Sequence, residues 1–230
     1  MIPLVLIPGF MLNERVFSKV DAQLSQTYDL VHPRVYRGDC IESMASSILE
    51  STPPHFNLIG FSMGGFIARE MVRRAPSRVE KLILIATSSR GDTVERRAVK
   101  ETALKLAENF NGVSRTSIRR SLSNAKKADD ELVDFIRNMS VELGTEVFKD
   151  QVSMRRDSDT HRLGEIKCET LIVCGEQDQL RTIEESAELK ENIPNSCLCL
   201  MNTGHMIPLE APDALAEAID RFLRYNHIRK

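Results

Sequence analysis

The chain has 230 residues, of which 42% are hydrophobic and 28% charged, and its formal net charge is −2. A chain of this length suits a single α/β domain with a sizeable core. The composition excludes an intrinsically disordered chain, which combines low hydrophobicity with high net charge, and it offers no basic excess for binding nucleic acid.

The chain begins with an apolar run, MIPLVLIP, that lacks the basic flank of a signal peptide. The run is also too short to span a bilayer. We therefore predict a buried strand at residues 3–7, no membrane span and a cytoplasmic location.

Five further runs along the chain are rich in valine, isoleucine and leucine. They cover residues 29–35, 56–61, 81–86, 170–174 and 197–201. Such near-continuous apolar runs are typical of strands that are covered on both faces, as in parallel sheets.

Segments with helical spacing of their apolar residues alternate with these strands. They cover residues 41–50, 63–74, 183–191 and 212–224, and Pro76 and Pro194 follow two of them where a helix should have ended. Alternating strands and helices imply right-handed crossovers. We predict an α/β fold with a doubly wound, mostly parallel sheet of about six strands.

Residues 92–161 interrupt this alternation. The stretch is rich in charge and contains no convincing strand, but it favours helices at residues 93–110, 114–122, 128–143 and 145–156. We predict a helical insertion at 92–161 and a core formed by 1–91 together with 162–230.

The strongest local motif is GFSMGG at residues 60–65, between a predicted strand and a predicted helix. In G-x-S-x-G at such a joint, the serine sits on a sharp turn and its hydroxyl projects above the sheet. The flanking glycines allow the strand and the helix to approach closely. The motif predicts Ser62 as a nucleophile, and the N–H of Met63 at the helix start as a donor to an oxyanion.

A serine hydroxyl needs a base to accept its proton, and His205 follows the last predicted strand, where such a base belongs. The acid that orients the histidine comes between serine and histidine in this kind of sheet. Asp178 directly follows the preceding strand, and Glu176 is its nearest rival. Each of these residues has an ordinary alternative role, as a helix cap, a hydrogen-bonded loop histidine or a turn aspartate.

With these motifs in place, the chain resembles the α/β-hydrolase superfamily, in particular small cap-bearing carboxylesterases such as the pimeloyl-carrier-protein methyl esterases, and the enol-lactone hydrolases. Three pieces carry the resemblance: residues 60–65, 175–178 and 204–205. The resemblance covers nearly all of the chain. It implies that residues 92–161 cover the site as a cap, and that no metal or organic cofactor takes part.

The chain departs from these families at the loop after the first strand, where Pro8-Gly9 replaces the usual His-Gly. The resemblance implies that the backbone N–H of Phe10 is the second oxyanion donor, because a backbone donor does not depend on the side chain.

Candidates for substrate contact are weaker. Met11 and Met206 are candidates for an acyl pocket, although methionine is more often a core residue. Arg119 and Arg120 are candidates for an anionic substrate, although charged pairs more often form a solvated helix face.

The resulting prediction is a serine hydrolase that cleaves a small ester or thioester through an acyl-enzyme on Ser62. Two alternatives stay open: a lyase or C–C bond-cleaving enzyme with the same three residues, as some relatives of this fold are, and a non-catalytic ligand receptor. Neither the substrate nor the oligomeric state follows from the sequence.

Overall fold

A six-stranded sheet forms the centre of the computed structural model, which describes residues 2–34 and 36–225. Its strands are β1 (Leu4–Ile7), β2 (Leu30–Val31), β3 (Phe56–Phe61), β4 (Val79–Ile85), β5 (Glu169–Gly175) and β6 (Ser196–Met201). All neighbouring strands are parallel, in the order β2-β1-β3-β4-β5-β6. The predicted fold class is confirmed.

The strand order reverses at β1. The chain passes from β1 to β2 at one edge, and then crosses back to place β3 on the other side of β1. In open α/β sheets a ligand crevice forms at the carboxyl ends of the strands where the order reverses. The loops that follow β1 and β3 meet at this point, and they carry Phe10 and Ser62.

Helices cover both faces of the sheet. Side chains alternate between the two faces along each strand, so both faces carry apolar side chains that the helices bury. In β1, Leu4 and Leu6 face one hydrophobic cluster, whereas Val5 and Ile7 face the other. Helices α1 (Ser18–Leu24) and α9 (Pro212–Arg224) pack on the first cluster. The second cluster is covered by α2 (Ile41–Glu50), α3 (Met63–Arg74) and α7 (Ile183–Asn192).

Three elements differ from the sequence prediction. The predicted strand at 29–35 is reduced to Leu30–Val31, because the edge strand soon meets Pro33, which lacks the N–H for a ladder hydrogen bond; Val35 lies outside the described residues. Helix α1 and the short helix α8 (Ile207–Glu210) were not predicted. Val16, Val20 and Leu24, spaced four residues apart and all buried, were the signal for α1.

The insert, residues 92–161, is helical. Its helices are α4 (Val94–Lys105), α5 (Arg115–Ser121) and α6 (Asp130–Ser153). No strand lies between β4 and β5, a stretch that the structure describes in full. Helix α6 bends at Gly144, which has non-helical backbone angles (φ 77°, ψ −179°), at the break that was predicted between two helices.

None of the helices in the described parts of the chain has both the length and the apolar character that crossing a membrane requires.

Candidate active site

Ser62 occupies a strained turn between β3 and α3. Its backbone angles (φ 54°, ψ −111°) lie in a region that residues other than glycine rarely adopt. Hydrogen bonds hold this conformation: Ser62 N donates to Ile85 O at 2.8 Å, and Ser62 O accepts from Thr87 Oγ1 at 2.8 Å and from Gly65 N at 3.0 Å. The surrounding fold therefore maintains a turn that the chain would not adopt alone.

Close backbone packing explains the glycines on either side of this turn. A Cβ on Gly64 would lie 2.4 Å from Ile7 O, and a Cβ on Gly60 would lie 2.5 Å from Gly64 O. Real Cβ atoms essentially never approach a backbone oxygen this closely. The glycines allow α3 to begin directly against the ends of β1 and β3.

Ser62, His205 and Asp178 lie in a hydrogen-bonded row. His205 Nε2 is 2.9 Å from Ser62 Oγ, and His205 Nδ1 is 2.7 Å from Asp178 Oδ2. The side chains of His205 and Asp178 are almost fully buried. With the Nδ1 proton directed at the carboxylate, Nε2 is free to accept the serine proton. The arrangement has the geometry that nucleophilic acyl transfer needs.

Backbone hydrogen bonds fix the orientation of the Asp178 carboxylate. Its Oδ1 accepts from Leu180 N at 2.7 Å and from Arg181 N at 3.0 Å. Oδ2 is thereby left for the histidine. Glu176, the rival acid in the sequence, is exposed.

The insert contacts the histidine loop directly. The N–H of His205 donates to Ser121 O, at the end of α5, at 2.7 Å. A Cβ on Gly204 would lie 2.5 Å from the carbonyl carbon of Leu122, so only glycine allows this approach. The position of His205 therefore depends on the insert as well as on the sheet.

Two backbone N–H groups near Ser62 are available as donors. Within the described residues, neither Phe10 N nor Met63 N donates a hydrogen bond to the protein. Met63 is the first residue of α3, where N–H groups lack intrahelical partners and the helix dipole favours negative charge. These are the two donors predicted from the sequence.

The neighbour of Phe10 is held by a residue that the sequence did not reveal. Met11 has a positive φ of 53°, and its N–H donates to Gln151 Oε1 at 2.8 Å. Gln151 is buried and donates from Nε2 to Tyr36 O at 3.0 Å. No motif marks this glutamine, because it approaches from α6 across 140 positions of sequence.

A cavity of about 750 Å³ opens above Ser62 and His205. Phe10 lines it, together with Met11, Arg120 and Met206, which are three of the four candidates for substrate contact from the sequence. Arg119 does not line it, because its guanidinium turns to the carboxylate of Asp130 and to Lys127 O. Most of the remaining lining comes from the insert.

Two further cavity residues escaped the sequence analysis. Arg156 and Arg181 both line the cavity, one from the end of the insert and the other from the loop that carries Asp178.

As for metals, within residues 2–34 and 36–225 no three His, Cys, Asp or Glu side chains come together in a group that could hold an ion.

Comparison with known proteins agrees with this architecture. A family model described as the alpha/beta hydrolase fold matches residues 38–212. The pimeloyl-[acyl-carrier protein] methyl ester esterase of Nitrosospira multiformis is 29% identical over 209 residues, which cover 85% of this chain and 78% of that protein.

Solved structures show the same fold. An esterase from Thermogutta terrifontis superposes with a TM-score of 0.87 at 24% identity, covering 97% of this chain and 90% of that one. The enol-lactonase from Burkholderia xenovorans LB400 superposes with a TM-score of 0.85 at 18% identity, covering 98% and 92%.

Proposed function

Because this chain belongs to the α/β-hydrolase fold family, we propose that it is a serine hydrolase that cleaves a carboxylic ester or thioester through an acyl-enzyme on Ser62. The observation that carries the proposal is the row of Ser62 Oγ, His205 and Asp178, with contacts of 2.9 and 2.7 Å. The esterase names of its relatives support the same reaction class.

In the first half of the reaction, His205 Nε2 removes the proton of Ser62 as Oγ attacks the carbonyl carbon of the substrate. The negative charge that develops on the carbonyl oxygen is held by the N–H groups of Phe10 and Met63. Asp178 keeps the imidazole in the required tautomer and stabilises the imidazolium. His205 then protonates the leaving alcohol or thiol, which departs as the acyl-enzyme forms.

In the second half, water takes the place of the alcohol. His205 removes a proton from the water as it attacks the acyl-enzyme, and returns that proton to Ser62 Oγ as the acid is released. Residues 92–161 act as a cap in this proposal. They provide most of the cavity wall, so they select the substrate, whereas the loops of the sheet carry out the chemistry.

The test is hydrolysis of p-nitrophenyl butyrate and p-nitrophenyl hexanoate by the wild type and by Ser62→Ala, with a fluorophosphonate probe applied to both proteins. We expect kcat to fall by at least about 10⁴-fold in Ser62→Ala, with complete loss of labelling. Ser153→Ala, which removes an exposed hydroxyl on α6, is the matched control and should retain both.

The outcomes separate this proposal from its alternatives. Labelling of the wild type without ester turnover would favour lyase chemistry or a ligand receptor that uses the same three residues. A folded wild type that neither hydrolyses the esters nor reacts with the probe would overturn the assignment of Ser62.

A further inference from the structure

Two arginines in the cavity carry guanidinium atoms without hydrogen-bond partners. Arg181 is only 7% exposed, and its Nη1 is buried and makes no hydrogen bond among the described residues. The Nε of Arg156 is likewise buried and without a hydrogen-bond partner there. A buried donor that is left without an acceptor destabilises the fold, and it does so more strongly when it is charged. Both side chains line the cavity that contains Ser62 and His205.

The two guanidinium groups share one support. Arg156 lies over the ring of Phe66 at 5.7 Å from its centroid, and Arg181 lies over the same ring at 5.9 Å. Phe66 follows Ser62 by about one turn of α3. Cation–π contacts with this ring of α3 therefore hold the two guanidinium groups without using their hydrogen-bond donors.

Positive charge exceeds negative charge around this pair. Arg96 and Lys100 of α4 also line the cavity. Burial, together with the repulsion of Arg96 and Arg156, lowers the pKa of Arg181 to about 10. The pKa of Lys100 is lowered as well, mainly by burial. These basic side chains therefore have too little negative charge around them to balance their own.

The nearby acids are largely engaged elsewhere. Asp92 Oδ2 accepts from Lys100 Nζ at 2.5 Å and from the backbone N of Arg156 at 3.3 Å. Glu185 caps α7 and approaches Arg181 Nη1 only to 3.6 Å, and Glu95 is exposed. Asp178 is held by His205 and by two backbone N–H groups.

We propose that Arg156 and Arg181 form a subsite for a second, ionised carboxylate of the substrate, so that the enzyme prefers half-esters of dicarboxylic acids to neutral esters. The inference rests on the proposed function, because it places this carboxylate in the cavity of the reacting ester. A guanidinium fork matches a carboxylate in geometry and charge. A phosphate dianion fits less well, since Asp92 and Glu95 line the same cavity and repel a second negative charge more strongly.

The experiment compares two substrates of equal length, mono-p-nitrophenyl adipate and p-nitrophenyl hexanoate, which differ by a carboxylate in place of a methyl group. The readout is the ratio of kcat/KM for the adipate ester to kcat/KM for the hexanoate ester. We expect this ratio to fall about tenfold to hundredfold in Arg156→Gln and in Arg181→Gln. Arg115→Gln, which removes an arginine paired with Asp130 and Asp134 outside the cavity, should keep the wild-type ratio.

A second measurement does not depend on turnover. Free adipate should raise the unfolding temperature of the wild type, whereas neutral adipamide should not, and the increase should disappear in both arginine variants. Fluorophosphonate labelling of Ser62 in each variant shows that the site remains folded.

Ratios within twofold of the wild type in both labelled variants would overturn the subsite, and so would equal protection of all proteins by adipate. If the wild type is neither labelled nor active, but adipate protects it and not the variants, the subsite stands and the proposed function fails.

Discussion

In the sheet, every residue of β1 and β3 is buried, whereas in α4, the first helix of the insert, no residue is. Val5 in β1 has no exposed surface, and Val94 in α4 is 69% exposed. The other insert helices pack more firmly, since Ile118 of α5 and Ile136 of α6 join the first hydrophobic cluster. The contrast is therefore sharpest between the central strands and α4.

This difference separates the proposed chemistry from the proposed choice of substrate. The side chains proposed to react stand on loops at the carboxyl ends of buried strands, where close packing leaves little freedom. Arg96, Val99 and Lys100 of α4 line the same cavity, and they belong to a helix in which no residue is buried. We expect changes in the core to alter rate or stability, and changes in α4 to alter selectivity.

The largest effect in the core is expected for Asp178→Asn. Asp178 Oδ1 accepts from two backbone N–H groups, so the amide oxygen of Asn should take that position and turn its NH₂ toward His205 Nδ1. The imidazole proton would then move to Nε2, which could no longer accept the serine proton. We expect kcat for p-nitrophenyl butyrate to fall by about 10⁴-fold.

Glu176→Gln is the control for this change, because it removes the neighbouring, exposed carboxylate. We expect its kcat to stay within about twofold of the wild type. If Glu176→Gln lost kcat severely and Asp178→Asn lost it only mildly, Glu176 and not Asp178 would be the acid that orients His205.

The same substitution in the two regions tests the contrast in packing directly. Val5→Ala leaves a cavity between buried residues of β1 and its neighbours, and we expect it to lower the free energy of unfolding by about 2 kcal/mol. Val94→Ala removes exposed methyl groups from α4, where alanine is also the better helix former, and should change stability by less than about 0.5 kcal/mol. Urea denaturation of both variants measures the difference; equal losses would mean that α4 is covered in solution.

Local patterns in the sequence were sufficient to predict much of the sheet and the loops that carry the proposed catalytic residues. The strand at 56–61 and the helix at 63–74 appear with the predicted bounds, because an apolar run, a glycine-flanked turn and a following proline all act over a few residues. Ser62, Asp178 and His205 were proposed as catalytic residues in the same way, from their positions in the loops that follow strands. Their mutual distances became visible only in the structure.

Residues that act across the boundary between insert and sheet could not be predicted. Gln151, Arg156 and Arg181 belong to no motif, and an isolated polar residue in a helical segment usually faces solvent. Their environment depends on how α6 and the following segment pack over the sheet, which helical periodicity does not specify. For the same reason the sequence could not distinguish Arg119 from Arg120, which lines the cavity one position further round the helix.

The smallest predicted effect concerns the hydrogen bond that joins Gln151 of α6 to the loop of Phe10. Gln151 Oε1 accepts from the N–H of Met11, whose positive φ needs support. Gln151→Met keeps the volume but removes the acceptor, so the Phe10 donor should lose its alignment with the developing oxyanion. We expect kcat for p-nitrophenyl butyrate to fall about tenfold with little change in KM, since the donor acts mainly in the transition state.

Gln151→Glu separates this role from simple packing, because it restores an oxygen acceptor in a side chain of the same length. Recovery of much of kcat in Gln151→Glu would identify the acceptor as the important feature. Equal losses in the two variants, or a rise in KM at constant kcat, would mean that Gln151 only shapes the cavity. Helix α6 would then influence the reaction by shaping the cavity, and the hydrogen bond from His205 N to Ser121 O would remain as the insert's link to the proposed catalytic residues.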